Sequence, residues 1–595
     1  MGTRRITAGL IFAALALCGT LAARSLGAGG PVSAYPTAGT VDASPMTQIS
    51  FRGAGPAELG RVEVTGSVTG RHTGRLEAHS DGDGASFFPD RPFRAREAVA
   101  VRAARPLIGS RRGRVTFRVA TLPGDRTVSH DEAARAAGSG GAGAAASGPS
   151  KFHSVSGFRP PSIDVLTRRS GRARGDIFLA PKSGQRAAMI VDDSGKLVWY
   201  HPAPPNYRIY DFRRQRYGGH NDLTWIEYRD CRLPECGIGR IYDRAYRKVA
   251  SVRAGNGYAA DFHDFTISPQ STAYMIISQP VQADLRSVGG PSNGWMFDSI
   301  VQEIDVPTGA VRFEWHALDH IPLTRSGLRY SHDTFDPYHV NSVDQESDGN
   351  LLISARNTDA VFEIDRASGR VLWQLGGNGS SYRMGRGASF IAQHDARRQR
   401  NGEITIFDNG LGAGLGDRPA RGIVLELKGG KAYLRHALQR AKPVYANSQG
   451  NVQGLPTGGY FVGWGGHTPY FSEFDGSGRM VYDAQFAGTQ GNSYRAFRFA
   501  WHGRPSHAPA VAAAAASGGR VKVWVSWNGA TEVASWQLFA GPHRSSLQPV
   551  KTVARRGFET SISFAPAKRY VQVRALDAQG HLLGASGVTS VTGGG

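Results

Sequence analysis

Four histidines stand at corresponding points of the chain: His220 in HNDLTWIEY, His263 in HDFTISPQSTAYMI, His339 in HVNSVD and His394 in QHDARRQRNGEITIFDNG. Each opens a short run that alternates like the first strand of a hairpin. Imidazole changes charge near neutral pH, so it serves as nucleophile, proton carrier or metal ligand. One such histidine is explained by a bond to backbone or to the aspartate beside it, but four in one register argue for a shared site. In HVNSVDQESDGNLLISARNTD the turn Ser347-Asp348-Gly349-Asn350 reverses the chain, so Arg356 returns to the end where His339 begins. A planar guanidinium suits the oxygens of an oxyanion group such as sulfate or phosphate. A bridge to Asp359 or to another blade is the competing use of Arg356. Asn341 lies two residues after His339, on the same strand face, and offers an amide donor. Asp395 follows His394 directly, so strand alternation turns it to the opposite face. Tyr338, Trp464 and Tyr494 are aromatics that either stack on a bound ring or pack between elements.

The elements that carry these residues repeat. VDDSGKLVWY (191–200), IYDRAYRKVASV (241–252), EIDVPTGAVRFEW (303–315), EIDRASGRVLW (363–373), LELKGGKAYLRHA (425–437) and EFDGSGRMVYDA (473–484) share a strand, a tight turn and a returning strand. Six copies at intervals of about 50–60 residues predict six propeller blades, with these segments as outer hairpins. The histidines then open inner hairpins and ring one mouth of a central channel. The fold expected is all-β: a six-bladed β-propeller over 155–505, an N-terminal Ig-like β-sandwich over 31–125 and a C-terminal fibronectin type III-like β-sandwich over 520–595. An Ala/Gly/Ser-rich linker at 126–154 and a second linker at 506–519 separate them.

The formal charge of +22 first suggests a nucleic-acid partner. The basic residues are dispersed, however, and no nucleic-acid-binding motif accompanies them, so that partner is excluded. The charge is read as solubilising, or as a basic channel that draws in anionic substrates. Residues 1–30 have Arg4 and Arg5 ahead of an apolar stretch and then small residues, as in a signal peptide or an N-terminal anchor. The protein is therefore expected to be secreted or extracytoplasmic, with envelope association through that segment. Leu17 before Cys18 does not fit a lipidation site. In an oxidising compartment the remaining cysteines, Cys231 and Cys236, are expected to pair. A zinc site there would need two further ligands.

His-Asp-Phe at 263, His-Val-Asn-Ser at 339, Ser-Ala-Arg-Asn at 354 and Gln-His-Asp-Ala at 393, in this order, resemble the bacterial arylsulfate sulfotransferases, specifically their secreted arylsulfotransferase-like branch. The resemblance covers roughly 155–505 and includes the entry segment FHSVSGFRPPSIDV. It implies a cofactor-free enzyme that moves a sulfuryl group from an aryl sulfate to a phenol by a ping-pong route. His394 would be the nucleophile and become a sulfohistidine. His263 and His339 would contact sulfate oxygens and exchange protons with the bridging phenolic oxygen, and Asn341 and Arg356 would hold the non-bridging oxygens. No metal is expected. Converging imidazoles can bind a transition metal, but the Arg356 cation opposes it. The remaining alternative is a non-catalytic envelope propeller that binds polysaccharide or protein.

Overall fold

The computed structural model describes residues 30–123, 150–229, 236–330, 335–411, 418–466, 468–488 and 491–593. It is all-β, with 48% strand and 3% helix. The segments 1–29 and 124–149 lie outside the described residues, and with them the expected signal and most of the first linker. Among the described residues no helix is long and apolar enough to cross a membrane.

Among the described residues between 163 and 499 the strands form six four-stranded antiparallel sheets, two of which carry an added edge strand, parallel in the case of Arg383–Met384. The innermost strands are Arg208–Tyr217, Phe265–Ile267, Val340–Gln345, His394–Arg398, Asn451–Gly454 and Ser493–Phe499. Arg208–Tyr217 contacts Phe265–Ile267, and the third sheet contacts Val340–Gln345. Contacts then run to His394–Arg398, Asn451–Gly454 and Ser493–Phe499, which returns to Arg208–Tyr217. The circuit is closed, consistent with a β-propeller.

Each of the six repeat segments spans the two outer strands of one sheet. Because each sheet is packed between two others, its strands are apolar on both faces. Leu352 and Val361 of the fourth sheet, for example, share a core with Ala396, Ile404 and Ile423 of the fifth. Closure is made by chain ends distant in sequence: Ser493–Phe499 pairs with Asp176–Pro181, setting Leu179 opposite Ala496. A Cβ at Gly463 would come within 2.6 Å of Ala496 N, so the closing strand needs glycine beside it.

Residues 33–118 form two four-stranded sheets around Phe51, Val64, Val99 and Phe117. They dock on the third sheet, where Arg312 binds Asp81 at 2.7 Å and Asp305 at 2.8 Å. The C-terminal segment forms two further sheets around Trp536, Val523 and Val571. The expected linker at 506–519 is corrected here: Ala510–Ala516 is a strand paired along its length with Arg520–Ser526. An edge strand of alanines and one valine, Val511, shows no polar–apolar alternation, which hid it. The entry segment lies on this domain, with His153 stacked on Trp524 at 4.1 Å and Ser154 bound to Glu559.

Candidate functional site

Two of the histidines meet at the N-terminal ends of the inner strands. The rings of His263 and His339 are 4.9 Å apart in an edge-to-face arrangement, and both residues are buried. Each is fixed by an aspartate just upstream. Asp261 accepts the His263 backbone N–H at 2.8 Å and contacts Nδ1 at 2.9 Å. Asp336 does the same for His339 at 3.0 and 2.6 Å. A short polar side chain that binds the backbone two or three residues on makes a local turn. Here the same carboxylate also sets the ring, because it can only accept, so Nδ1 carries the proton. His339 has φ +53°, in the left-handed region where a non-glycine residue is strained, and the Asp336 turn holds it there.

His394 is held differently. Asn409 Nδ2 donates to the carbonyls of Ala446 and Gln449, both at 3.1 Å, which turns its Oδ1 toward His394 Nδ1 at 2.8 Å. The Gln449 backbone N–H donates to His394 Nε2 at 3.1 Å. One ring nitrogen thus faces an acceptor and the other a donor, so the network specifies the neutral Nδ1–H tautomer with its lone pair on Nε2. Lys182 binds the Gln449 side chain and lies 5.7 Å over the ring of Tyr494, which stands 6.2 Å from His263. This chain of contacts links the three histidines.

Arg356 follows the second strand of the His339 hairpin, its backbone N–H donating to the His339 carbonyl at 3.0 Å. Its guanidinium donates to Asn357 Oδ1 and to the carbonyl of Asn447, in the loop that reaches His394. Asp359 instead accepts the Ala392 N–H at 2.7 Å. Asn341 departs from expectation: its amide donates to the Gln393 carbonyl and its Oδ1 accepts the Asp395 N–H, so both ends bind the neighbouring sheet. Tyr338 and Trp464 are fully buried packing residues, bound to the Ile321 carbonyl and to Ser472. Cys231 lies outside the described residues, and so does its expected pairing with Cys236.

His220 is the clearest correction. It opens the second strand of its sheet, His220–Tyr228, not the inner one, and pairs with Tyr217 at the far end. It is exposed there, away from the other three. In that sheet the place equivalent to the histidines is taken by Tyr210 and Asp211.

Between the two ends the ring axis is filled with charge. Arg495 is fully buried and binds Asp211 at 2.9 Å, Asp264 at 2.7 Å and Asp395 at 3.3 Å. Arg397 and Arg213 also bind Asp264, at 2.8 and 3.1 Å. Burial alone would raise the Asp264 carboxyl, but the three guanidiniums outweigh it and hold the group well below the usual range. Beyond this layer, at the C-terminal ends of the inner strands, lies a cavity of about 740 Å³ whose lining includes Arg213, Arg214, Arg216, Arg397 and Arg398. The expected channel is therefore two separate mouths, one with histidines and one with arginines.

Asp261, Asp336, Asn409, Gln449 and Lys182 were not identified from sequence. The two aspartates were visible as DFH and DPYH, at turn spacing. Asn409 follows the strand that pairs with His394, as Arg356 follows the partner of His339. Nothing local marks Gln449 or Lys182.

Residues 237–487, under half of the chain, match the family model described as arylsulfotransferase (ASST). No curated protein matches. Among solved structures, a protein of unknown function from Bacteroides caccae is 14% identical over 55% of this chain and 98% of its own, with a TM-score of 0.35. Kuenenia stuttgartiensis hydrazine synthase is 15% identical over 53% of this chain and 77% of its own, with a TM-score of 0.28.

Proposed function

We propose that this chain, with its arylsulfotransferase-like segment, is an exported six-bladed β-propeller flanked by Ig-like and fibronectin type III-like domains. Its activity in this reading is sulfuryl transfer from an aryl sulfate to a phenol. The observation that carries it is the contrast between the histidines. His394 is paired with a neutral amide carbonyl, while His263 and His339 are paired with carboxylates. A carboxylate stabilises an imidazole that has taken a second proton; an amide fixes the tautomer without adding charge. That division suits a neutral nucleophile beside two proton carriers.

In the first half-reaction His394 Nε2 forms a bond to sulfur as the sulfur–aryl oxygen bond breaks. The phenolate leaves with a proton from His263 or His339. A second phenol then gives its proton back to that histidine and takes the sulfuryl group, restoring neutral His394. Arg356 supplies fixed positive charge for the sulfate oxygens, as cations do in phosphoryl transfer. The Gln449 N–H must leave Nε2 before sulfur can approach, so substrate entry is coupled to movement of the 447–449 loop.

The test is release of nitrophenol from 4-nitrophenyl sulfate in the presence of a phenol. Turnover should depend on the acceptor and vanish in His394→Ala, and intact mass should locate a sulfo adduct on His394. No turnover across a broad panel of donors and phenols removes the reading. The arginine-lined cavity favours a second one, a propeller that binds an anionic polysaccharide. That binding would survive His394→Ala and fail when Arg214 and Arg216 are replaced.

A further inference from the structure

Where the N-terminal domain meets the third sheet, three carboxylates surround one imidazole, all of them buried. His316 Nδ1 lies 3.0 Å from Asp298 Oδ2 and 3.1 Å from Asp42 Oδ1, and Nε2 lies 3.2 Å from Glu314 Oε1. Asp42 comes from the loop between Ser33–Tyr35 and Ile49–Arg52, and the others from Gly294–Ile304 and Val311–His316. The site exists only when the two domains are docked.

The Asp42 carboxylate is 2% exposed, and neither oxygen has a hydrogen-bond partner among the described residues. His316 Nδ1 is within reach of Asp42 but forms its aligned hydrogen bond with Asp298. The Tyr258 hydroxyl, buried nearby with its ring 6.4 Å from that of His316, also lacks a partner among the described residues. A buried carboxylate without hydrogen bonds is costly, and a second one beside it makes the arrangement worse. A cation at the common focus would remove both penalties.

We propose that Asp42, Asp298 and His316 bind a divalent transition-metal ion of the zinc class, which pins the N-terminal domain to the ring. The ligand atoms lie within 4.8 Å of one another. Bonds of about 2.0–2.1 Å in a tetrahedral site place donor atoms roughly 3.3 Å apart, close to the separations around His316 Nδ1. The outer contacts also match a metal site. Without metal both ring nitrogens face carboxylates and carry protons; the metal displaces the Nδ1 proton to solvent, Glu314 keeps the Nε2–H, and Asp298 Oδ1 accepts the Leu318 N–H at 2.9 Å. Such carboxylate–histidine–metal relays orient the ring and strengthen the ligand. An imidazole donor favours zinc, iron or nickel over calcium, which takes oxygen ligands. This site is separate from the sulfuryl-transfer reading and does not depend on it.

The experiment uses the full chain, stripped with chelator, incubated with zinc and desalted, then analysed for metal. One zinc per chain is expected, with a melting midpoint that chelator lowers and zinc restores. Glu314→Gln keeps all three ligands and should weaken zinc binding by about 10–100-fold. Asp42→Asn should abolish it. Should Asp42→Asn not fold, the wild-type stoichiometry and the Glu314→Gln titration still decide. Substoichiometric zinc in the wild type, or calcium bound in preference to zinc, overturns the proposal. The cluster would then be two carboxylates that share a proton.

Discussion

At the residue scale, the nature of each histidine's partner matters more than the number of histidines. An aspartate beside an imidazole favours the doubly protonated ring; an asparagine holds it neutral. Asn409 is therefore the residue that keeps His394 fit for nucleophilic attack. Asn409→Leu should lower the rate of 4-nitrophenyl sulfate cleavage by about 10²–10⁴-fold, because the ring loses its orientation and tautomer. Asn409→Asp gives up the two donations to the Ala446 and Gln449 carbonyls but sets a carboxylate against His394 Nδ1 and stabilises the imidazolium, so the acid limb of the pH–rate profile should move to higher pH. An unmoved limb in Asn409→Asp would remove His394 as the nucleophile. The sequence made three of these imidazoles visible, because a hairpin start can be read from local alternation. It misjudged Asn341, whose amide binds Gln393 and Asp395 on the neighbouring sheet, a contact no pattern within one hairpin encodes.

At the element scale, the inner strands are joined by ion pairs as well as by apolar packing. Arg495 belongs to the closing strand and binds carboxylates from the second, third and fifth sheets. Its removal leaves buried aspartates without their cation, the costly half of a buried pair. Arg495→Met should destabilise the protein by about 3–5 kcal/mol in denaturant unfolding. A loss near zero would mean that Arg397 and Arg213 suffice. Asp264 is depressed in the folded state, so its stabilising contribution is present above the unfolded carboxylate range and is lost as pH falls. The outer hairpins were legible because tight turns and their flanking strands lie within a dozen residues. The Ala510–Ala516 strand was not, because its partner rather than its own pattern makes it a strand.

At the scale of the whole molecule, the N-terminal domain should lose stability in acid through His79, which stands beside the Ser80 contact with Asp305 of the third sheet. His79 accepts from Arg52 through Nδ1 and donates to Ser86 through Nε2, so the folded state requires the neutral ring. Burial, then Arg52 and Arg312, push it down to about 4. A histidine lowered in the folded state stabilises above its unfolded value of about 6.5, and that contribution is lost as pH falls from there toward 4. The melting midpoint should therefore drop across this window, with a shallower drop in His79→Gln. Equal slopes would exclude the histidine. The sequence by itself determined the strand repeats and the ends at which His263, His339, His394 and Arg356 stand, because turns and period-two alternation act over short distances. His220 sits at the opposite mouth for an equally local reason, the Gly218-Gly219 turn that pairs it with Tyr217. Tertiary structure alone decided that ion pairs divide the axis and that Asn409 and Gln449 fix the His394 tautomer. It alone also gathered Asp42 with Asp298 and His316. Those outcomes depend on groups far apart in sequence, whose partners exist only once the ring has closed and its neighbours have docked.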